Sequence, residues 1–145
     1  MASTVEQLGL SGQVILTGMA SYADVPRYLS LGTVALNPFE LNVITRDIIP
    51  IKILQYQAAG LPVVSTPLPD LVRKHPAGEA GVEYSASDDA DSYFQELMTA
   101  ISDMDRLRAI GLRGSGFVRR RFSVEHAVDQ IEGAFLDMNS QRGNA

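Results

Sequence analysis

The sequence predicts an α/β domain, a parallel sheet flanked by helices, and three observations carry that reading. Short β-branched runs alternate with stretches of helical period, the pattern that successive βαβ units produce. The runs are mostly apolar and bounded by Gly, Pro or polar residues, as strands buried on both faces tend to be. The chain has 145 residues, enough for one domain that buries roughly 68–70% of its unfolded surface without staples.

Taken in order, residues 3–8 read as the end of a helix and residues 13–17 (QVILT) as the first strand. A doubly wound domain ordinarily begins with a strand and a glycine-bearing turn, so an N-terminal βα unit is expected to be missing. Asp24 can cap the next helix, with Pro26 in its first turn, Gly32 after its end, and Val25, Tyr28, Leu29 and Leu31 on its apolar side. Residues 33–36 (TVAL) form the second strand. Pro50 opens a helix that Gly60 closes, and residues 62–65 (PVVS) and 81–84 (GVEY) complete the strands.

A helix from Ser87 or Asp88 to about Ser102 follows, with Tyr93, Phe94, Leu97, Met98 and Ile101 at helical spacing. Residues 103–121 predict another helix, weakened by Gly111, Gly114 and Gly116 at ~1 kcal/mol each and expected to break near Gly114. Ser123, with Glu125 and His126, starts a last amphipathic helix whose face is Val124, Ala127, Val128, Ile131, Phe135 and Met138. The domain is expected to span residues 1–138, and the tail at 139–145 to be disordered.

Composition narrows the function. The absence of Cys rules out a disulfide framework and a thiolate zinc site, and two histidines, His75 and His126, leave little for another metal cage; no metal site is expected. A cytoplasmic location is the expectation. No apolar run approaches the ~20 residues of a membrane span, which leaves only peripheral membrane association of a fuller enzyme. The formal charge of −5 gives no global field for a phosphate polymer, so nucleic acid is not an expected partner and any anion must be bound by local design. The Arg119, Arg120, Arg121 run reads as a solvated helix end rather than a polyanion site.

The informative stretch is residues 37–67, NPFELNVITRDIIPIKILQYQAAGLPVVSTP. In an open α/β sheet, ligands sit outside the carboxyl ends of the strands, where this loop and helix start must lie. Pro50 at the first helical position leaves the amides of Ile51 and Lys52 free, and with the positive end of the helix dipole they suit a phosphate or pyrophosphate. Lys52 adds a charge. Gln55, on the same face, can donate and accept, which suits the vicinal hydroxyls of a ribose. Ile51, Leu54 and Ala58 are expected to pack.

KILQYQAAGLPVVST (residues 52–66) resembles the signature of group 1 glycosyltransferases, closest to its xanthan-type glucuronosyltransferase variant, where Lys and Gln also stand three apart before Tyr. Residues 14–19 (VILTGM) and 28–39 are similar to the family's preceding strands, and residues 121–124 (RFSV) to the opening of its last helix, with Val124 in place of an aromatic. The resemblance runs over residues 13–135. It implies the Rossmann-like C-terminal, donor-binding half of a GT-B fold, whose substrate is a UDP- or GDP-linked sugar and which needs no further cofactor. By the same resemblance Gly18 and Met19 would line the base, Lys52 would hold the diphosphate, Gln55 would contact ribose or diphosphate, and Asp47 would reach the donor sugar. Phe39 and Thr45 join them from the loop. Many retaining members carry two acidic residues eight positions apart; here these are Asp47 and Gln55, so that subtype is not supported.

The resemblance implies a glycosyltransferase fragment that is inactive without the N-terminal domain of the same enzyme, its expected partner. No residue is assigned a catalytic role. A second reading is a non-enzymatic doubly wound ligand-sensing or signalling module, but Thr17-Gly18 and Asn37-Pro38 stand where a receiver would need carboxylates. A dinucleotide oxidoreductase would need its glycine motif after a strand, whereas GLRGSG (residues 111–116) lies in a helical region.

Overall fold

The structure, a computed structural model, describes residues 2–142. Its elements run α1 (Ala2–Gln7), α2 (Val25–Leu29), β1 (Ala35–Asn37), α3 (Ile51–Ala58), β2 (Val63–Ser65), α4 (Pro69–Lys74), β3 (Val82–Tyr84), α5 (Ala90–Ile101), α6 (Met104–Arg121) and α7 (Val124–Arg142), with single 3-10 turns at Tyr22–Asp24 and Thr45–Asp47. The sheet is parallel in the order β1-β2-β3, with Ala35 opposite Val63 and Val63 opposite Val82. Helices α3 and α4 make the crossovers that parallel neighbours require.

Side chains alternate across the strands, so two cores form. Ala35, Val63 and Val82 meet Ile53, Leu61, Leu68 and Leu71 on the face under α3 and α4. Val64 turns the other way, onto Ala100 and Leu107 with Tyr93, Leu97 and Ile101 beside them.

Helix α3 ends in a Schellman stop. Gly60 adopts φ +77, its amide donates to Gln57 O at 2.9 Å, and the Leu61 amide donates to Tyr56 O at 3.0 Å. Asp103 caps α6 by accepting from Arg106 N at 2.9 Å. Helix α5 is capped by Asp89, one residue beyond the expected start, because its carboxylate reaches Ser92 N at 2.9 Å.

Four expectations are corrected. Residues 13–17 form no strand; they make no ladder bonds, Ile15 is exposed, and β1 pairs only with β2, so a run of strand-forming residues there has no partner. Pro50 is the N-cap of α3 rather than its first helical residue. The buried side of α3 is Ile53 and Gln57, while Ile51 is 73% exposed, because the helix is clasped between sheet and α6 along the line joining those two positions. Helix α6 does not break near Gly114. It needs its glycines there: a Cβ on Gly111 would lie 2.1 Å from Gly60 O, and one on Gly81 only 2.4 Å from Gly114 Cα. The cost expected from low propensity is offset by the backbone approach it permits, and α6 crosses the amino ends of β2 and β3 at contact distance. The expected tail is helical as far as Arg142, and 143–145 lie outside the described residues.

Past that crossing, Phe117 and Phe122 enclose His75, with ring centroids 5.2 and 5.4 Å away. The Gln57 side-chain amide donates to Ala80 O at 2.6 Å and lies 3.0 Å from His75 Nδ1. With one amide hydrogen on each, Nδ1 is the acceptor and the imidazole proton sits on Nε2. Burial first, then the charges of Arg121 and Lys74, push the His75 pKa down to about 4.

Two measurements test this. Gly111→Ala or Gly81→Ala should cost about 2 kcal/mol or more in chemical denaturation through forced separation of backbones, whereas Gly116→Ala, facing only the flexible end of Arg120, should be neutral or stabilising by up to ~1 kcal/mol. Equal effects at all three would refute the crossing. Because His75 is neutral when folded and takes up a proton below about pH 6.5 when unfolded, its contribution is complete above that pH and is lost as pH falls toward about 4, on the order of 3 kcal/mol in all. An NMR titration that charges His75 near pH 6.5 in the folded chain would refute it.

Candidate functional site

With α6 across the amino ends, the carboxyl ends of the strands stay open, and a hydrogen-bonded clasp holds two of them in register. Asn37 N donates to Tyr93 Oη at 3.0 Å, and Tyr93 Oη donates to Val64 O at 2.7 Å. Asn37 Nδ2 donates to Ser65 Oγ at 2.8 Å, and Phe39 N donates to Thr66 Oγ1 at 3.1 Å. Burial raises the Tyr93 pKa to about 12, so the phenol keeps the proton it donates. Asn37 Oδ1, fully buried, has no hydrogen-bond partner among the described residues.

From this clasp the chain turns through a braced loop. Asn42 Oδ1 accepts from Ile44 N at 2.9 Å and Thr45 N at 3.1 Å, a side chain imitating a backbone turn. Thr45 Oγ1 accepts from Asn42 N and donates to Glu40 O at 2.6 Å, and Leu41 N donates to Asp88 Oδ2 at 2.8 Å. The loop therefore delivers buried Pro50 to the head of α3 in a fixed place.

Pro50, at φ −62 and ψ 122, sets the first turn, and its carbonyl accepts from Ile53 N at 2.9 Å. The amides of Ile51 and Lys52 have no partner among the described residues. Lys52 Nζ lies 4.6 Å from the centre of the Phe39 ring. No carboxylate pairs with it among the described residues, and burial lowers its pKa. A half-buried ammonium whose nearest compensation is a ring face, beside two free amides at a helix start, is chemically suited to an anion.

The other expected residues fall in different places. Gln55 sits one turn along from Ile51 on α3, half-buried, its side-chain amide without a hydrogen-bond partner among the described residues, between grooves on either side of the helix. Thr45 is buried and its hydroxyl is committed to the loop, so it shapes the site from beneath. Asp47 is exposed and lies 3.6 Å from Arg46. Gly18, at φ +66, and fully exposed Met19 lie on the irregular segment before α2.

Sequence reasoning missed Tyr22, exposed and lining both grooves beside Gln55. It missed Asn37 and Gln57 as well. The signals were present: an aromatic in an otherwise polar turn, and amides at positions whose neighbours are core. Among the described residues no group of three or more acidic or His side chains gathers as a metal cage, and no helix is long and apolar enough to cross a membrane.

Tyr93→Phe should destabilise the chain by ~1–3 kcal/mol in urea, since it strands a buried carbonyl and the Asn37 amide together. A change under about 0.5 kcal/mol would show that water replaces the phenol and that the clasp carries little.

Comparison with known proteins bears on the family and the fold. Residues 1–103 match the family described as Glycosyl transferases group 1. A protein of Bacillus subtilis (strain 168) named as a teichuronic acid biosynthesis glycosyltransferase, TuaH, is 38% identical over 56 residues, covering 39% of this chain and 14% of that protein. Sucrose-phosphate synthase from Thermosynechococcus elongatus superposes with a TM-score of 0.73 at 17% identity, over 97% of this chain and 34% of that one. That likeness shows the fold, the Rossmann-like half of a GT-B architecture. The chain thus spans a minor part of either relative's length.

Proposed function

The chain belongs to the group 1 glycosyl transferases, and from that premise we propose that it binds the nucleoside-diphosphate sugar whose sugar is passed to an acceptor hydroxyl. The observation that carries the reading is the head of α3, where free amides and the unpaired Lys52 ammonium converge. In transfer, the bond from the anomeric carbon to the diphosphate oxygen breaks, a bond from the acceptor oxygen to that carbon forms, and the acceptor proton leaves. Negative charge grows on the departing diphosphate. Lys52 and the Ile51 and Lys52 amides are placed to stabilise it, the role in which preorganised donors count most.

Gln55 takes the ribose hydroxyls, and Phe39 keeps the Lys52 ammonium aimed while giving up little of its charge. A UDP- or GDP-linked donor fits this arrangement, and the name of the Bacillus relative suggests a growing saccharide polymer as acceptor. No group on these 145 residues is assigned to take the acceptor proton. The chain alone is expected to bind donor and to transfer nothing, with the acceptor and the base supplied by an N-terminal domain.

Titrating UDP or GDP into labelled protein should shift the amides of Ile51, Lys52 and Gln55. Lys52→Ala should weaken binding about tenfold or more, the effect of losing one charge-assisted contact. Shifts scattered away from α3, or none at millimolar nucleotide, would sink the proposal.

A further inference from the structure

The backbone that carries Phe39 is held by side chains from other parts of the fold. From Asn37 to Leu41 every second amide donates to one: Asn37 N to Tyr93 Oη at 3.0 Å, Phe39 N to Thr66 Oγ1 at 3.1 Å and Leu41 N to Asp88 Oδ2 at 2.8 Å. Alternate amides of an extended segment face one way, toward a neighbouring strand where there is one. Strand β2 ends at Ser65, and beyond it a residue of the following loop, one of α5 and one of the turn before α5 take over its part.

Asp88 is the outermost of the three ties. It is exposed, and its carboxylate pairs with no cation among the described residues. Phe39 packs at the margin of the core under α3, yet with Asp88 and Tyr93 it also borders a groove of about 460 Å³, so packing does not enclose its ring. Resting on the donor-site reading above, we propose that Asp88 is a positioning residue for the donor diphosphate. It holds the backbone at Leu41, that backbone holds the Phe39 ring against Lys52, and the ring aims the ammonium. Charge and position pull in opposite directions here. A carboxylate on this loop repels a diphosphate, so by charge alone its removal tightens binding. By position its removal frees the ring and Lys52 with it, and reordering them on binding lowers affinity. Position wins, because the field of an exposed carboxylate is screened by water and salt, whereas the tie acts at contact distance.

The test uses the full chain carrying isotope-labelled lysine. Lys52 and Lys74 are its two lysines, so two ε-methylene signals report, and the Phe39 ring current should set that of Lys52 upfield. Binding of UDP and of inorganic pyrophosphate is measured by calorimetry for wild type, Asp88→Ala, Asp88→Asn and Lys52→Ala. Asp88→Ala should weaken both ligands about three- to tenfold and move the Lys52 signal toward that of Lys74. Asp88→Asn keeps an acceptor for Leu41 N without the charge, so it should retain the wild-type signal and bind at least as tightly as wild type. The assignment is overturned if Asp88→Ala binds pyrophosphate as tightly as wild type or more so, or if it weakens binding while the Lys52 signal stays put. It is also overturned if Asp88→Asn loses affinity together with Asp88→Ala. Each of these results leaves the donor site standing so long as Lys52→Ala loses binding that wild type has. A wild type that binds neither ligand refutes the donor site itself, and the role of Asp88 with it.

Discussion

The approach of α6 to the amino ends of β2 and β3 is the constraint from which the rest of the domain follows. Backbone meets backbone where Gly111 faces Gly60 and where Gly81 faces Gly114, so that a Cβ on Gly111 or on Gly81 would overlap the opposing chain. The contact lets one helix serve two cores, with Leu107 on the α5 side of the sheet and Phe117 near His75 on the other. It also decides which edge of the sheet is covered. With the amino edge occupied, loops and helix starts at the carboxyl edge are the groups left to meet a ligand, as the crevice rule for open α/β sheets expects.

Electrostatics at that edge run against the chain as a whole. The formal charge is −5, so attraction at a distance is weak or unfavourable for an anion, and recognition has to be arranged at contact range. Phe39 supplies part of the arrangement by offering its ring face to Lys52 where a carboxylate would have neutralised it. A salt bridge would have satisfied the ammonium and closed the site. A ring leaves it charged, partly desolvated and available.

How much of this was legible depended on whether the signal was local. The α3 helix was written in Pro50 and Gly60, and the start of α6 at residue 103, because one residue's backbone preference or one short side chain decides each. The grouping of Ile51, Lys52 and Gln55 followed from helix geometry alone. What failed needed knowledge of a neighbour. The run at 13–17 has every property of a strand except a partner, and the glycines of α6 read as weakness until the chain they touch was placed beside them. Ile51, Leu54 and Ala58 looked like the buried stripe of α3, yet the helix rolled to bury Ile53 and Gln57 between sheet and α6. Thr45 looked available and is already bonded.

Gly60 is where α3 stops and also where α6 touches, so the helix is anchored at its tail by the backbone of another element. A rod clamped at one end transmits force without sliding. Whatever docks at the opposite tip meets a fixed post, and the span from Pro38 to Pro50, tied to Thr66 and Asp88 as well as to itself, gives that post no slack.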